Sequence, residues 1–140
     1  MTLQEKMKQL SDSLSLFPDW RLKYEFIIEA GKVAPSLTSE YKTDMYKIQG
    51  CQSQVWMVPR IKDGLLYVDS DSDSIIAKGT ASFISQLCSG VTPQEVIDTD
   101  LMKYFVDIGL LANLTPTRAS GVTQMVGAIK KYCLSLNTHS

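Results

Sequence analysis

Histidine is almost missing from this sequence, and so is any long apolar run. The one imidazole, His139, is the penultimate residue of 140, at a terminus, where chains are usually disordered. A Cys–His protease or acyltransferase, which needs a histidine base beside its nucleophile, is therefore excluded. No apolar stretch approaches the roughly 20 residues that span a bilayer, so no membrane segment is expected. The opening MTLQEKMKQL has neither an apolar h-region nor a small-residue cleavage site, which points to the cytoplasm. An excess of charge is lacking too: 14 basic against 15 acidic side chains leave no electrostatic footprint for nucleic acid, so a protein partner or a small molecule is expected instead. Cysteine is sparse. The odd number and wide spacing of Cys51, Cys88 and Cys133 suit neither a disulfide framework nor a zinc site, and reduced thiols are expected.

What is present fits one soluble domain over residues 1–140, large enough to bury about two-thirds of its unfolded surface. Leu3, Met7 and Leu10 recur at helical spacing, as do Tyr24, Ile27 and Ile28. Asp19 is the expected N-cap of a helix from Trp20 to Ala30, with Gly31 as its stop. Residues from Pro35 to Asp44 read as a loop with room for one helical turn. Between Met45 and Asp71 the pattern turns to β-branched and aromatic residues, with Asp63-Gly64 as a two-residue hairpin turn. Pro59 places its strand at an edge or a bulge. Asp71-Ser72-Asp73-Ser74 offers helix caps before the stripe Ile76, Thr80, Phe83, Ile84, Leu87 and Cys88. Thr92-Pro93 with Glu95 forms a capping box, a short helix covers Leu101 to Ile108, and a last helix runs from Ala119 to Leu136. The fold class is α+β, a two-layer domain with a small antiparallel sheet packed on helices.

Cys88 and Cys133 complete apolar helical stripes and read as core. Cys51 joins no such period. It lies in the polar run Gly50-Cys51-Gln52-Ser53-Gln54 between two apparent strands, and local sequence leaves both a reactive thiol and an incidental loop cysteine open. If it is reactive, a thioredoxin-type site fails for want of a second cysteine two residues away, and a cluster scaffold fails because the other cysteines are in the core. What remains is attack by one thiolate on a sulfur carried by another molecule.

The stretch Gly50-Cys51-Gln52-Ser53-Gln54-Val55-Trp56 resembles the cysteine-loop signature of SufE, the sulfur-acceptor partner of the SufS cysteine desulfurase. The resemblance extends in order through Trp20, Tyr24 and Ile27-Ile28-Glu29, then Asp71-Ser72-Asp73 with Ile76, and Lys78-Gly79. It continues with Thr92-Pro93-Gln94-Glu95, and ends at Leu114-Thr115-Pro116-Thr117-Arg118 with Gly121. It implies a three-stranded antiparallel sheet and a Cys51 that takes sulfur from the desulfurase as a persulfide and passes it to a SufBCD-like scaffold, stimulating the desulfurase. The implied protein has no metal or cofactor of its own; pyridoxal phosphate belongs to the desulfurase. The related CsdE loop tends to read Gly-Cys-Glu-Asn-Arg, so Gln52-Ser53-Gln54 favours SufE.

Gly50, Gln52, Ser53, Gln54, Asp73 and Arg118 are the accompanying candidates for holding the loop or meeting the partner. Asp73 has a rival reading as the N-cap of the next helix, and Arg118 as an ordinary surface cation. Trp56 and Tyr67 are candidates for sheltering the sulfur or for plain core. A rival function is allosteric activation of a desulfurase without carrying sulfur. Because a persulfide in open solution is attacked by small thiols, the resting Cys51 is expected to tuck against apolar residues of the sheet and last helix.

Overall fold

The computed structural model describes residues 1–137, so the reading of His139 lies outside the described residues. Helix α1, Leu3–Leu14, opens with a capping box in which Thr2 accepts from Glu5 N–H and the Glu5 carboxylate accepts in return. Helix α2, Trp20–Val33, starts at Asp19, whose carboxylate accepts the Leu22 N–H at 3.0 Å. A single 3₁₀ turn, Ser39–Tyr41, interrupts the loop that follows. Strands β1, Val55–Lys62, and β2, Leu65–Ser72, form an antiparallel hairpin in which Val55 faces Ser72 and Lys62 faces Leu65. Asp63 and Gly64 turn it with φ of 54° and 79°, the left-handed pair that matches the twist of the strands.

Helix α3, Ile75–Leu87, is the central element, packed on α2, on both strands and on the last helix. The short helices α4, Pro93–Asp98, and α5, Leu101–Asp107, precede α6, Pro116–Asn137. Glu95 joins two helix starts, accepting from Thr92 N–H within its own capping box and from Leu3 N–H of α1 at 2.9 Å. Lys6 reaches the other end of α3 and donates to the carbonyls of Gln86 and Ser89, where the helix dipole favours a cation. Leu3, Ile84, Leu101, Phe105, Val122, Ile129, Cys88 and Cys133 are among the fully buried residues of the core.

The architecture is α+β, with three local expectations corrected. Among the described residues the sheet has two strands rather than three. Tyr46 to Ile48 lies beside β1 but contributes one isolated bridge, Lys47 to Trp56, with Ile48 N–H on Val55 O at 2.8 Å and Met57 N–H on Tyr46 O at 3.0 Å. A turn closed by Tyr46 N–H on Thr43 O precedes the segment and Gly50 at φ 82° follows it, so only these residues run in line with β1. Beyond that bridge no described residue pairs with the outer edge of β1, which accommodates Pro59.

Gly31 does not stop α2, which continues to Val33. Its hydrogen faces α3: a Cβ there would lie 2.5 Å from Gly79 Cα and 2.8 Å from Gly79 N. The two glycines let the helices cross backbone against backbone. Finally, α6 begins at Pro116 rather than Ala119, because Pro is suited to the first helical position and Thr115 Oγ1 accepts the Arg118 N–H at 3.3 Å.

The loop between α2 and β1 is strapped down by Asp71. Its carboxylate accepts from Leu37 N–H at 3.0 Å and Ser72 N–H at 2.9 Å, and pairs with Lys42 at 3.2 Å and Lys78 at 3.9 Å. Burial alone pushes its pKa up, but the backbone donors and Lys42 outweigh this and hold it below the ordinary 3.8. Stability from Asp71 is therefore present above that value and is lost as pH falls through the lower folded value.

Two outcomes follow for stability. Gly31→Ala forces backbone apart, so it should lower unfolding free energy by about 2–3 kcal/mol even though alanine is the better helix former. Urea unfolding with an unchanged slope checks this. Asp71→Asn should cost about 2–3 kcal/mol at neutral pH, and the difference from wild type should shrink on acidification below the ordinary carboxylate range. A constant difference down to the acid limit would contradict the ionic role.

Candidate functional site around Cys51

Cys51 sits in a loop whose far end is moored firmly and whose middle is not. Gln54 N–H and Nε2 both donate to the Asp73 carboxylate, at 3.1 and 3.2 Å. The Gln54 carbonyl accepts from Ser72 Oγ at 2.7 Å and from Asp73 N–H at 3.3 Å. The near end is closed by the Ile48 to Val55 backbone bond. Between them Gly50 takes φ 82°, with its Cα packed on the Gln124 side chain of α6, where an added Cβ would lie 3.1 Å from Cγ.

The half-buried Cys51 side chain turns inward. Its Sγ lies 3.9 Å from the Gly121 carbonyl, the reach of a weak S–H donor. Beside it is a cavity of about 30 Å³ walled by the loop, by Val55 of β1, by Ala77 and Thr80 of α3, and by Thr117, Arg118, Gly121 and Met125 of α6. Burial pushes the Cys51 thiol above its ordinary pKa of 9.0, and Arg118 on the same wall does not reverse this. The tucked side chain is thus a neutral thiol and a poor nucleophile. A thiol more open to water would ionise more readily.

Of the candidate residues, Gln52, Ser53 and Arg118 line the cavity with Cys51, while Gln54 is held away from it by Asp73. Asp73 is not the N-cap of α3; Ser74 is, accepting from Ala77 N–H. One residue of offset frees the Asp73 carboxylate for the loop. Trp56 and Tyr67 do not line the cavity. Val55 faces it, so strand alternation turns Trp56 to the other side, under Lys42 at 5.6 Å, and Tyr67 stacks with Arg60 at 5.3 Å. Sequence reasoning did not place Ala77, Thr80, Thr117, Gly121, Gln124 or Met125 beside Cys51. A glycine inside a helix was the available signal for Gly121. Cys88 and Cys133 are fully buried, and burial together with the neighbouring Cys133 pushes Cys88 up to about 12.

A family model described as SufE, an Fe-S metabolism associated domain, matches residues 8–133. The chain belongs to the SufE family. Its association is therefore with iron–sulfur metabolism. The fold has a counterpart in the solution structure of a hypothetical protein from Thermus thermophilus. The TM-score is 0.77 over 95% of this chain and 96% of that one, at 16% identity. At that identity the likeness concerns the fold alone. In this SufE-family domain no described helix is long and apolar enough to cross a membrane.

Alkylation of the native protein at Cys51 should be slower at neutral pH than that of a small thiol, and should keep rising past the ordinary thiol pKa. The sign follows from linkage: a raised folded pKa means that the closed loop is favoured at low pH and loses that support as pH rises through the folded value. A profile levelling off below the ordinary thiol pKa would contradict the tucked neutral thiol. Cys88 and Cys133 should react only on unfolding.

Proposed function

We propose that this SufE-family protein accepts sulfur on Cys51 as a persulfide from a SufS-like cysteine desulfurase and delivers it to a SufBCD-like scaffold in the cytoplasm, stimulating the desulfurase as it does so. The observation that carries the reading is the contrast among the cysteines: two are sealed in the core, and Cys51 lies on a weakly held loop beside a small cavity. The chemistry is sulfane transfer. The Cys51 thiolate attacks the terminal sulfur of the partner's persulfide, the Sγ–S bond forms as the partner's S–S bond breaks, and the partner's cysteine leaves as a thiolate. The proton given up by Cys51 balances that charge, and no net oxidation occurs. Cys51 needs no cofactor for this step, since pyridoxal phosphate acts earlier, in the desulfurase. Gln52, Ser53 and Arg118 surround the sulfur and are suited to meet the partner when the loop turns outward, with Gly50 as the flexible point and Gln54 with Asp73 as the fixed end.

Mass spectrometry of the chain after incubation with desulfurase and cysteine tests the carrier role. A gain of about 32 Da, one sulfur atom, is expected on the Cys51 peptide and on neither of the others. Cys51→Ser should still bind the desulfurase yet lose its stimulation. Full stimulation by that variant would replace the carrier reading with the allosteric one.

A further inference from the structure

We propose a second binding site, away from Cys51, where the outer edge of β2 at Ser70 takes a small neutral molecule that carries a carboxamide. The site is a half-open cleft of about 310 Å³ between β2, the loop after α2 and α3. It does not depend on the persulfide reading of Cys51.

Backbone accounting singles out Ser70. Val55 and Met57 bond the Tyr46 to Ile48 segment, so the odd-numbered residues of β1 direct their backbone groups away from β2. Met57 faces Ser70 in the register, and by the same alternation Leu66, Val68 and Ser70 direct theirs to the outer edge of β2. There Leu66 N–H donates to Val91 O at 2.7 Å, and Leu66 O accepts from Gly90 N–H at 2.7 Å. Val68 N–H donates to Ser89 Oγ at 3.0 Å, and Val68 O accepts from that hydroxyl at 3.4 Å. Ser70 is only 7% exposed, yet its N–H and C=O have no such partner among the described residues. On α3 the hydroxyls of Ser82 and Ser85, residues 4% and 3% exposed, are likewise without one, and both residues line the same cleft. Protein interiors leave few polar groups unpaired, and here they gather at one place.

The chemistry of these groups selects the ligand. The N–H and C=O of one extended residue lie side by side, and a primary carboxamide offers the matching pair, its C=O to the N–H and its N–H to the C=O. A carboxylate offers acceptors only and would leave the Ser70 carbonyl unmet. Charge agrees, because Asp69 is the one charged residue of the lining and pairs with Arg60 at 3.6 Å, so the lining holds no cation to attract an anion. Pro35, Leu37 and the ring of Tyr41 give the loop side an apolar surface for the body of the molecule. A long peptide strand does not suit the edge, since Leu66 and Val68 are already bonded and Leu37 N–H on Asp71 closes the far side. The Ser85 hydroxyl, which rotates about χ1, can add one bond to the same ligand.

The experiment titrates the full isotope-labelled chain with benzamide and, separately, with benzoate, following backbone amide signals by NMR. Benzamide should shift the signals of Ser70, Val68 and Leu37 and saturate with a dissociation constant of about 10 mM or tighter, whereas benzoate should leave them in place. Ser85→Ala should weaken benzamide binding about fivefold, the loss of one neutral hydrogen bond. Its urea unfolding without ligand should match wild type or come slightly later, because the hydroxyl removed has no partner in the fold. Reduced stability with unchanged benzamide binding would mark Ser85 as structural and overturn the proposal. A Ser70 signal unmoved by benzamide, or moved equally by benzoate, would overturn it too. That comparison of probes is made on wild type and decides the matter even if the variant folds poorly.

Discussion

A carboxylate removed from water must be met by donors, and Asp71 is met from four directions. Leu37, Ser72, Lys42 and Lys78 belong to the loop after α2, to the end of β2 and to α3. Without them the carboxylate would bear the desolvation cost of a buried charge uncompensated. The position at which β2 gives way to α3 is therefore held tightly, and the consequences reach the functional loop. Ser72 and Asp73, the next two residues, carry the bonds that moor Gln54. Ser74 then starts α3, which brings Ala77 and Thr80 to the cavity wall. The place where Cys51 rests is thus a product of polar contacts made some distance from its sulfur.

Against those moorings, the inward position of Cys51 is weakly held. Its sulfur makes one long contact to a carbonyl, and burying about half of a small side chain is worth only on the order of 1 kcal/mol. Turning this one side chain outward therefore forfeits little contact. Rigid ends with a loosely held middle suit a thiol that is protected alone and exposed to a partner.

Much of the fold was legible in the sequence because its signals are local. Asp19, the Thr92 to Glu95 capping box and the Asp63-Gly64 turn act on residues within four positions, and each stands where expected. Misreadings occurred where a distant neighbour decides. A glycine near a helix end looks the same whether it takes positive φ or meets another helix, and only Gly79 shows that Gly31 does the latter. Asp73 and Ser74 were both plausible caps; the loop's need for a carboxylate settles which is used. The third strand was lost to the turns that bracket Tyr46 to Ile48. Cys51 was identifiable as the cysteine without an apolar period, but its surroundings were not, because Gly121 lies 70 positions away.

The same burial that quiets the thiol bears on the cargo. A low-dielectric wall disfavours the charged form of any acid placed against it, as it does for Cys51. On the persulfide reading, a sulfur held inside is pushed toward its neutral, less reactive form, and protection then has two parts, steric and electrostatic. Opening the loop reverses both at once, because the sulfur gains access and solvent restores its ionisation. Release becomes tied to the event that opens the loop rather than to collision with any passing thiol. A fixed cation against the sulfur would weaken this link by stabilising the anion while the loop is shut. Burial dominates at the resting thiol although Arg118 lines the same cavity, and that balance keeps ionisation coupled to opening.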